Sequence, residues 1–461
     1  MKWDNIDRLH FIGIGGISMS GIAKILIKQG YKVSGSDLKD SNLLDELRDM
    51  GALIHIGHSA EYAAGADMVV ISSAIPETNP EYRYAKEDNI PILKRAEMIA
   101  KLMESQRSIA IAGTHGKTTT TSMTATILKE CKVDPTVLVG GELNTIGGNA
   151  YLGDGDYLLT EADESDGSLL YFNPVIAVVT NIEMDHQDYY QTDSKLFNTF
   201  KTFLENLSDE GKAVVCKEDK TLMEIAAEVE AELITYGIST GDLQAVNPKL
   251  LPFGSYYDLV YKGKNVGEVN LQIPGRHNIL NSLAAVAVAI SVGVSIKEAV
   301  EGIKKYTGVH RRFEKKGLFE NIMIIDDYAH HPTEIKATLK AAGNTGFDRI
   351  IAVFQPHRYT RTKFLMDEFV DSFEDIDHLI ITEIYSAGEA PIPGVNAKDL
   401  ALKVGRNNDF KVEYIAGLND IVKYLEGIVK PKDLILTIGA GNVFEVGEKL
   451  LKNMKKNKEM A

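Results

Sequence analysis

A chain of 461 residues is too long for one core and points to about three domains. Its 44% hydrophobic and 25% charged residues describe an ordinary soluble globular protein and exclude a disordered or fibrous one. The net charge of −15 excludes non-specific nucleic-acid binding, so any anionic substrate must be held by local cations and metal. No run approaches 18 apolar residues and no signal-peptide pattern opens the chain, so no membrane partner is expected. Cys131 and Cys216 lack metal-ligand spacing and read as reduced core thiols, which fits a cytoplasmic setting.

In chain order, residues 8–13 read as a buried strand, followed by Gly13-Ile14-Gly15-Gly16-Ile17-Ser18 and a helix through about Lys28. A second strand at 32–35 leads into Ser36-Asp37, the opening βαβ of a dinucleotide-type fold. Taken alone this reads as an NAD dehydrogenase. Ser18 replaces the third glycine of that fingerprint, however, and a second phosphate loop lies a hundred residues downstream. A Gly-rich turn holds any pyrophosphate, including that of a UDP-sugar, with Asp37 available to a ribose hydroxyl. A third strand at 68–71 ends in Ser72-Ser73. The first domain is expected to span 1–106.

The second, 107–308, starts with Ile109-Ala110-Ile111-Ala112-Gly113-Thr114-His115-Gly116-Lys117-Thr118-Thr119, before a helix read at 122–129. A strand, a Gly-containing loop and a helix are the context in which backbone N–H groups and a helix N-terminus cradle polyphosphate. Lys117 would reach the terminal phosphates and the Thr118 hydroxyl would face Mg²⁺. Strands at 157–160 and 175–179 end in Glu161-Ala162-Asp163-Glu164 and Thr180-Asn181-Ile182-Glu183-Met184-Asp185-His186, candidates for Mg²⁺ ligation. Residues 218–270 offer few cues. A buried helix at 279–292 follows Gly275-Arg276-His277-Asn278, with His277 and Asn281 one turn apart.

The third domain, 309–461, repeats strands that end in polar clusters. These are Asp326-Asp327-Tyr328-Ala329-His330-His331-Pro332-Thr333-Glu334 after 322–325 and Gln355-Pro356-His357-Arg358-Tyr359-Thr360-Arg361 after 349–354. Strands at 378–382 and 434–438 do the same, so the carboxyl ends form a ligand-binding edge. A sugar-nucleotide-type site, an ATP–Mg²⁺ site and a His- and Arg-rich domain suit ATP-driven joining of a carboxylate to an amine through an acyl phosphate.

These motifs, with Pro274-Gly275-Arg276-His277-Asn278, Gly388-Glu389-Ala390-Pro391-Ile392-Pro393-Gly394 and Gly439-Ala440-Gly441-Asn442, resemble the Mur ligase family along essentially the whole chain. Within it, the Gln355-to-Arg361, Gly388-to-Gly394 and Gly439-to-Asn442 stretches resemble the branch that adds L-alanine. The resemblance implies an α/β protein of three domains: a Rossmann-like UDP-binding one, a central P-loop ATPase-type one and a C-terminal Rossmann-like one. It implies ATP and Mg²⁺, ligation of L-alanine to the lactyl carboxylate of UDP-N-acetylmuramate for peptidoglycan synthesis, and a bacterial monomer or weak homodimer.

By the same resemblance, Gly13, Gly15, Gly16, Ser18, Asp37 and Ser73 would hold the UDP-sugar. Gly113, Thr114, His115, Gly116, Lys117, Thr118 and Thr119 would hold the phosphates, with His277 and Asn281 on adenine, Asp327 on ribose and Arg312 on the terminal phosphates. Thr118, Glu161 and His186 would serve metal. Tyr328, His357, Arg358 and Arg361 would surround the amino acid. Lys117, His186 and Arg312 are the expected catalytic groups. The alternative within the family is the branch that recycles a cell-wall tripeptide. A folylpolyglutamate synthetase-like enzyme would lack the N-terminal Gly-rich domain, and a non-catalytic nucleotide-binding regulator would leave the strand-end acids unexplained.

Overall fold

Short apolar runs become buried strands that pair almost entirely in parallel, and every parallel crossover leaves the carboxyl ends on one edge. The computed structural model describes residues 3–143, 146–185, 189–190 and 192–460, and its strands form three successive sheets. The first has five parallel strands in the order Leu53–Ile56, Lys32–Asp37, Arg8–Ile12, Met68–Ile71, Ile92–Lys94. The order reverses beside Arg8–Ile12, and this switch point is where the Gly13–Gly16 turn lies.

The second sheet has ten strands. Arg107–Ala112 lies between Ile176–Val179 and Tyr157–Glu161, both parallel to it. The uninformative stretch 218–270 turns out to be mostly strand: Leu243–Leu251 joins the sheet parallel to Glu232–Ile238, and Gly254–Tyr261 and Lys264–Leu271 extend it as antiparallel neighbours. The third sheet places Ile322–Asp327, Asp433–Ile438, Arg349–Phe354, His378–Ile381 and Lys411–Tyr414 in parallel, with Glu314–Phe319 antiparallel at one edge. Separate apolar clusters, around Phe354 and around Ile351, cover the two faces of this sheet.

The helix after the phosphate loop runs Lys117–Glu130 and begins five residues before its predicted start. Its Thr-rich sequence has no apolar stripe because the helix is buried nearly all round, against Arg276–Ser291 and Ile296–Ile303. The hydroxyls of Thr121, Ser122, Thr124 and Thr126 donate to carbonyls four residues back at 2.6–2.9 Å, so they are buried without remaining unsatisfied. Cys216 is buried as expected, whereas Cys131 is only half-buried, and both are free.

Candidate active site

The phosphate loop is folded by two glycines with positive φ. Gly113 has φ +129°, and a Cβ there would stand 2.1 Å from the Thr180 hydroxyl oxygen. Gly116 has φ +84° and caps the helix, with Asn281 Oδ1 2.6 Å from any added Cβ. We expect Gly113→Ala to be destabilised by about 2–4 kcal/mol and to lose nucleotide affinity. A denaturant midpoint and a nucleotide titration on the same variant check this.

The segment after Ile176–Val179 clamps the loop. The Thr180 hydroxyl donates to His115 O at 2.6 Å, Asn181 Oδ1 accepts the His115 N–H at 2.9 Å, and the Glu183 N–H donates to Thr114 Oγ1 at 2.9 Å. Lys117 Nζ donates to both Glu164 oxygens at 2.8 and 2.7 Å and to Gly113 O at 2.6 Å. Burial pushes the Glu164 carboxyl up to about 7, against the pull of Lys117. Thr118 Oγ1 donates to Glu161 Oε2 at 3.2 Å, and the Gly140 N–H donates to the other oxygen at 3.0 Å. This pairing of a hydroxyl with a carboxylate at the loop suits a hard divalent cation. His186, the further predicted ligand, lies outside the described residues.

A cavity of about 400 Å³ opens beside the loop. It brings together His115, Gly116, Thr119, His277, Asn281, Arg312 and Asp327 of the predicted nucleotide set. Gly113, Thr114, Lys117 and Thr118 lie in the adjoining loop and helix start. Asp327 accepts the N–H groups of Phe313 and Ala329, both at 2.7 Å, and burial raises its carboxyl to about 6. Phe313, Asp219 and Glu334, to which the sequence assigns no role, also line the cavity.

His115 bridges the two walls, with Nε2 3.0 Å from Glu183 and Nδ1 3.2 Å from Glu334. Burial opposes charge on this ring, but the two carboxylates overcome it and raise its pKa to about 9. A raised histidine pKa gives stability that is full below the unfolded value of 6.5 and is lost as pH rises through 9. We therefore expect unfolding free energy to fall by about 3 kcal/mol between those limits, and the decline to flatten in His115→Gln. Denaturant unfolding across the pH range measures it.

In the third sheet, the predicted amino-acid residues form a contiguous wall. The Tyr328, His330, His357 and Tyr385 rings follow one another at centroid distances of 5.5, 5.7 and 5.6 Å. Burial lowers the His330 and His357 pKa values to about 4 and about 3, so both rings are neutral. Arg358 lies 3.7 Å from Glu389, a residue of the Gly388–Gly394 motif. Arg361, with a side chain 5% exposed, pairs through its Nη2 with both oxygens of Asp185 at 3.1 and 3.0 Å. Its Nη1 is 3.3 Å from His357 Nδ1. Arg312 stacks over Tyr328 at 5.1 Å and so joins this wall to the nucleotide cavity.

At the N-terminal sheet, Asp37 Oδ2 accepts the Gly15 N–H at 2.9 Å, while Gly13 packs against Ser72 and Ser73 sits in the exposed turn beyond it. Gly16 immediately precedes the helix Ile17–Lys28, whose second residue is Ser18. Arg95, missed in the sequence, reaches within 3.5 Å of Ser18 Oγ and 3.4 Å of Asp166 Oδ2 of the second sheet's loops.

Three sheets, each presenting polar loops at strand carboxyl ends, with a phosphate loop in the central unit, define a nucleotide-dependent enzyme scaffold. Family profiles match in tandem: "Mur ligase family, catalytic domain" at 8–107, "Mur ligase middle domain" at 111–289 and "Mur ligase, glutamate ligase domain" at 311–441. The chain belongs to the Mur ligase family. The UDP-N-acetylmuramate–L-alanine ligase of Trichlorobacter lovleyi is 49% identical over 98% of this chain and 100% of its own. The structure of UDP-N-acetylmuramate-alanine ligase from Thermotoga maritima aligns with a TM-score of 0.83 at 28% identity, covering 98% of this chain and 99% of that one. A murein peptide ligase from Psychrobacter arcticus shares the fold at 24% identity, with a TM-score of 0.72 over 97% and 98% of the two chains. No helix among the described residues is long and apolar enough to cross a membrane.

Proposed function

We infer that this enzyme joins L-alanine to the lactyl carboxylate of UDP-N-acetylmuramate with conversion of ATP to ADP and phosphate, in bacterial cytoplasmic synthesis of peptidoglycan precursors. The observation that carries this reading is the full-length likeness to ligases of that name. The phosphate loop and the arginine-bearing wall meet at Arg312, which supports it. The three units, 1–106, 107–308 and 309–461, take the UDP-sugar, the nucleotide and the amino acid in turn.

A carboxylate is a poor electrophile, so the lactyl oxygen first attacks the γ-phosphorus and ADP leaves. The amine of L-alanine then adds to the acyl carbon and phosphate is expelled. Lys117 exchanges Glu164 for β- and γ-phosphate oxygens, and Arg312 neutralises charge on the transferred group. Thr118 and Glu161 would hold Mg²⁺, with His186 serving a second ion by family resemblance; the metal supplies charge neutralisation at the phosphates. His277 and Asn281 face adenine and Asp327 the ribose. Arg361 and Arg358 pair the amino-acid carboxylate beside Tyr328 and His357. Gly13, Gly15, Gly16, Ser18, Asp37 and Ser73 receive the UDP moiety.

The test is ADP release with ATP, Mg²⁺ and UDP-N-acetylmuramate, comparing L-alanine, glycine, L-serine, a cell-wall tripeptide and no amine. ADP that depends on both the sugar nucleotide and L-alanine is expected. Activity with the tripeptide alone would move the enzyme to the recycling branch, and no ADP with any amine would overturn the ligase reading.

A further inference from the structure

Beside the cavity, three side chains from three different segments converge. They are His115 of the phosphate loop, Glu183 beyond Ile176–Val179, and His331, which precedes the helix Pro332–Gly343. One ligand atom from each lies within 4.8 Å of the others. His115 Nε2 and Glu183 Oε2 are 3.0 Å apart, and the two imidazole centroids are 4.8 Å apart. His331 is 3% exposed, and its Nε2 has no hydrogen-bond partner among the described residues. A buried ring nitrogen left unmatched is uncommon and calls for a ligand.

The other two groups are already held from behind, as metal ligands are. Glu334 Oε1 lies 3.2 Å from His115 Nδ1, and the Thr333 hydroxyl donates to Glu183 Oε1 at 2.6 Å. We propose that His115, Glu183 and His331 form a binding site for a zinc-class divalent cation, which ties the C-terminal unit to the phosphate loop.

Two imidazoles and one carboxylate match three-ligand zinc sites whose fourth position stays open, and here His115 and Glu183 also line the cavity. Mg²⁺, which demands oxygen ligands, is a poor occupant of this set. Tetrahedral bonds of zinc length set ligands about 3.3 Å apart. The three ligand atoms stand within 4.8 Å of one another, so side-chain rotations of all three groups about a bound ion bring them to that spacing. The ion takes the place of a proton at His115 Nε2, while Nδ1–H continues to donate to Glu334. At His331 the proton moves from Nε2 to Nδ1, which ends the 3.3 Å hydrogen bond from the Thr333 N–H, so the metal bond must outweigh that lost cap.

The test titrates Zn²⁺ into the full-length protein against a chromophoric chelator, with millimolar Mg²⁺ present throughout, and does not depend on which amine the enzyme uses. One saturable zinc site is expected in the parent protein. His331→Asn, which keeps an N-cap acceptor, and Glu183→Gln are each expected to weaken it at least tenfold, roughly the scale of ligand-shell losses. Glu161→Gln, at the proposed magnesium position, should leave zinc affinity unchanged. Co²⁺ should give the intense visible absorption of a tetrahedral site in the parent protein and not in His331→Asn. Absence of a saturable zinc site, undiminished zinc affinity in both His331→Asn and Glu183→Gln, or a loss confined to Glu161→Gln would overturn the proposal.

Discussion

Replacing Lys117 by Ala is expected to lower ADP formation at least about 10³-fold, since the cation proposed to meet the transferred phosphate is gone. The structure adds a second effect that the motif alone does not disclose. Glu164, 1% exposed, loses the cation that donates to both its oxygens, and its burial then favours the protonated form more strongly. An acid whose folded pKa is raised binds its proton more tightly in the folded state, so its contribution to stability falls as pH rises. The variant should therefore lose stability more steeply than the parent protein above pH 7. Adding Glu164→Gln should restore stability without restoring turnover. Denaturant midpoints at pH 6 and pH 8.5, beside the ADP assay, separate the two effects; near-normal turnover in Lys117→Ala would remove the phosphate-loop assignment.

Arg361→Lys is the second large effect. Lysine keeps the charge but cannot hold Asp185 as Nε and Nη2 do and still offer a further N–H, that of Nη1, to the substrate carboxylate. We expect KM for L-alanine to rise about 10²-fold, a loss of roughly 2.7 kcal/mol in binding, while KM for ATP changes little. Arg361→Ala goes further, because buried Asp185 loses the guanidinium that pairs with both its oxygens, and breaking such a pair destabilises by about 3–5 kcal/mol. Initial-rate kinetics with each substrate varied in turn provide the measurement. An alanine KM unchanged in Arg361→Lys would take this residue out of the amino-acid site.

The parallel α/β architecture was legible because each buried strand is an apolar run that stops at a polar cluster. Met68–Ile71 and Arg349–Phe354 match the expected bounds residue for residue. The helix Lys117–Glu130 was placed too late because six of its first eight residues are Thr or Ser, five of them in a run directly after Lys117, poor helix formers whose hydroxyls are satisfied only once the turn exists. The antiparallel strands within 243–271 were missed because they alternate with charged residues at a sheet edge, where polarity reads as loop. Pairings were the least accessible feature. Glu164 lies 47 residues from Lys117, and Asp185 lies 176 from Arg361. An acid cluster announces charge, but only the folded chain selects which carboxylate meets which cation.

The cavity beside the phosphate loop takes one wall from His277 and Asn281 and another from Asp327, Thr333 and Glu334. Whatever fills it binds both units at once and binds neither as well alone. Occupancy at a hundred times the dissociation constant then adds about 2.7 kcal/mol to the association of those walls. The rigidity of the junction thus becomes a function of the concentration of the proposed nucleotide in solution.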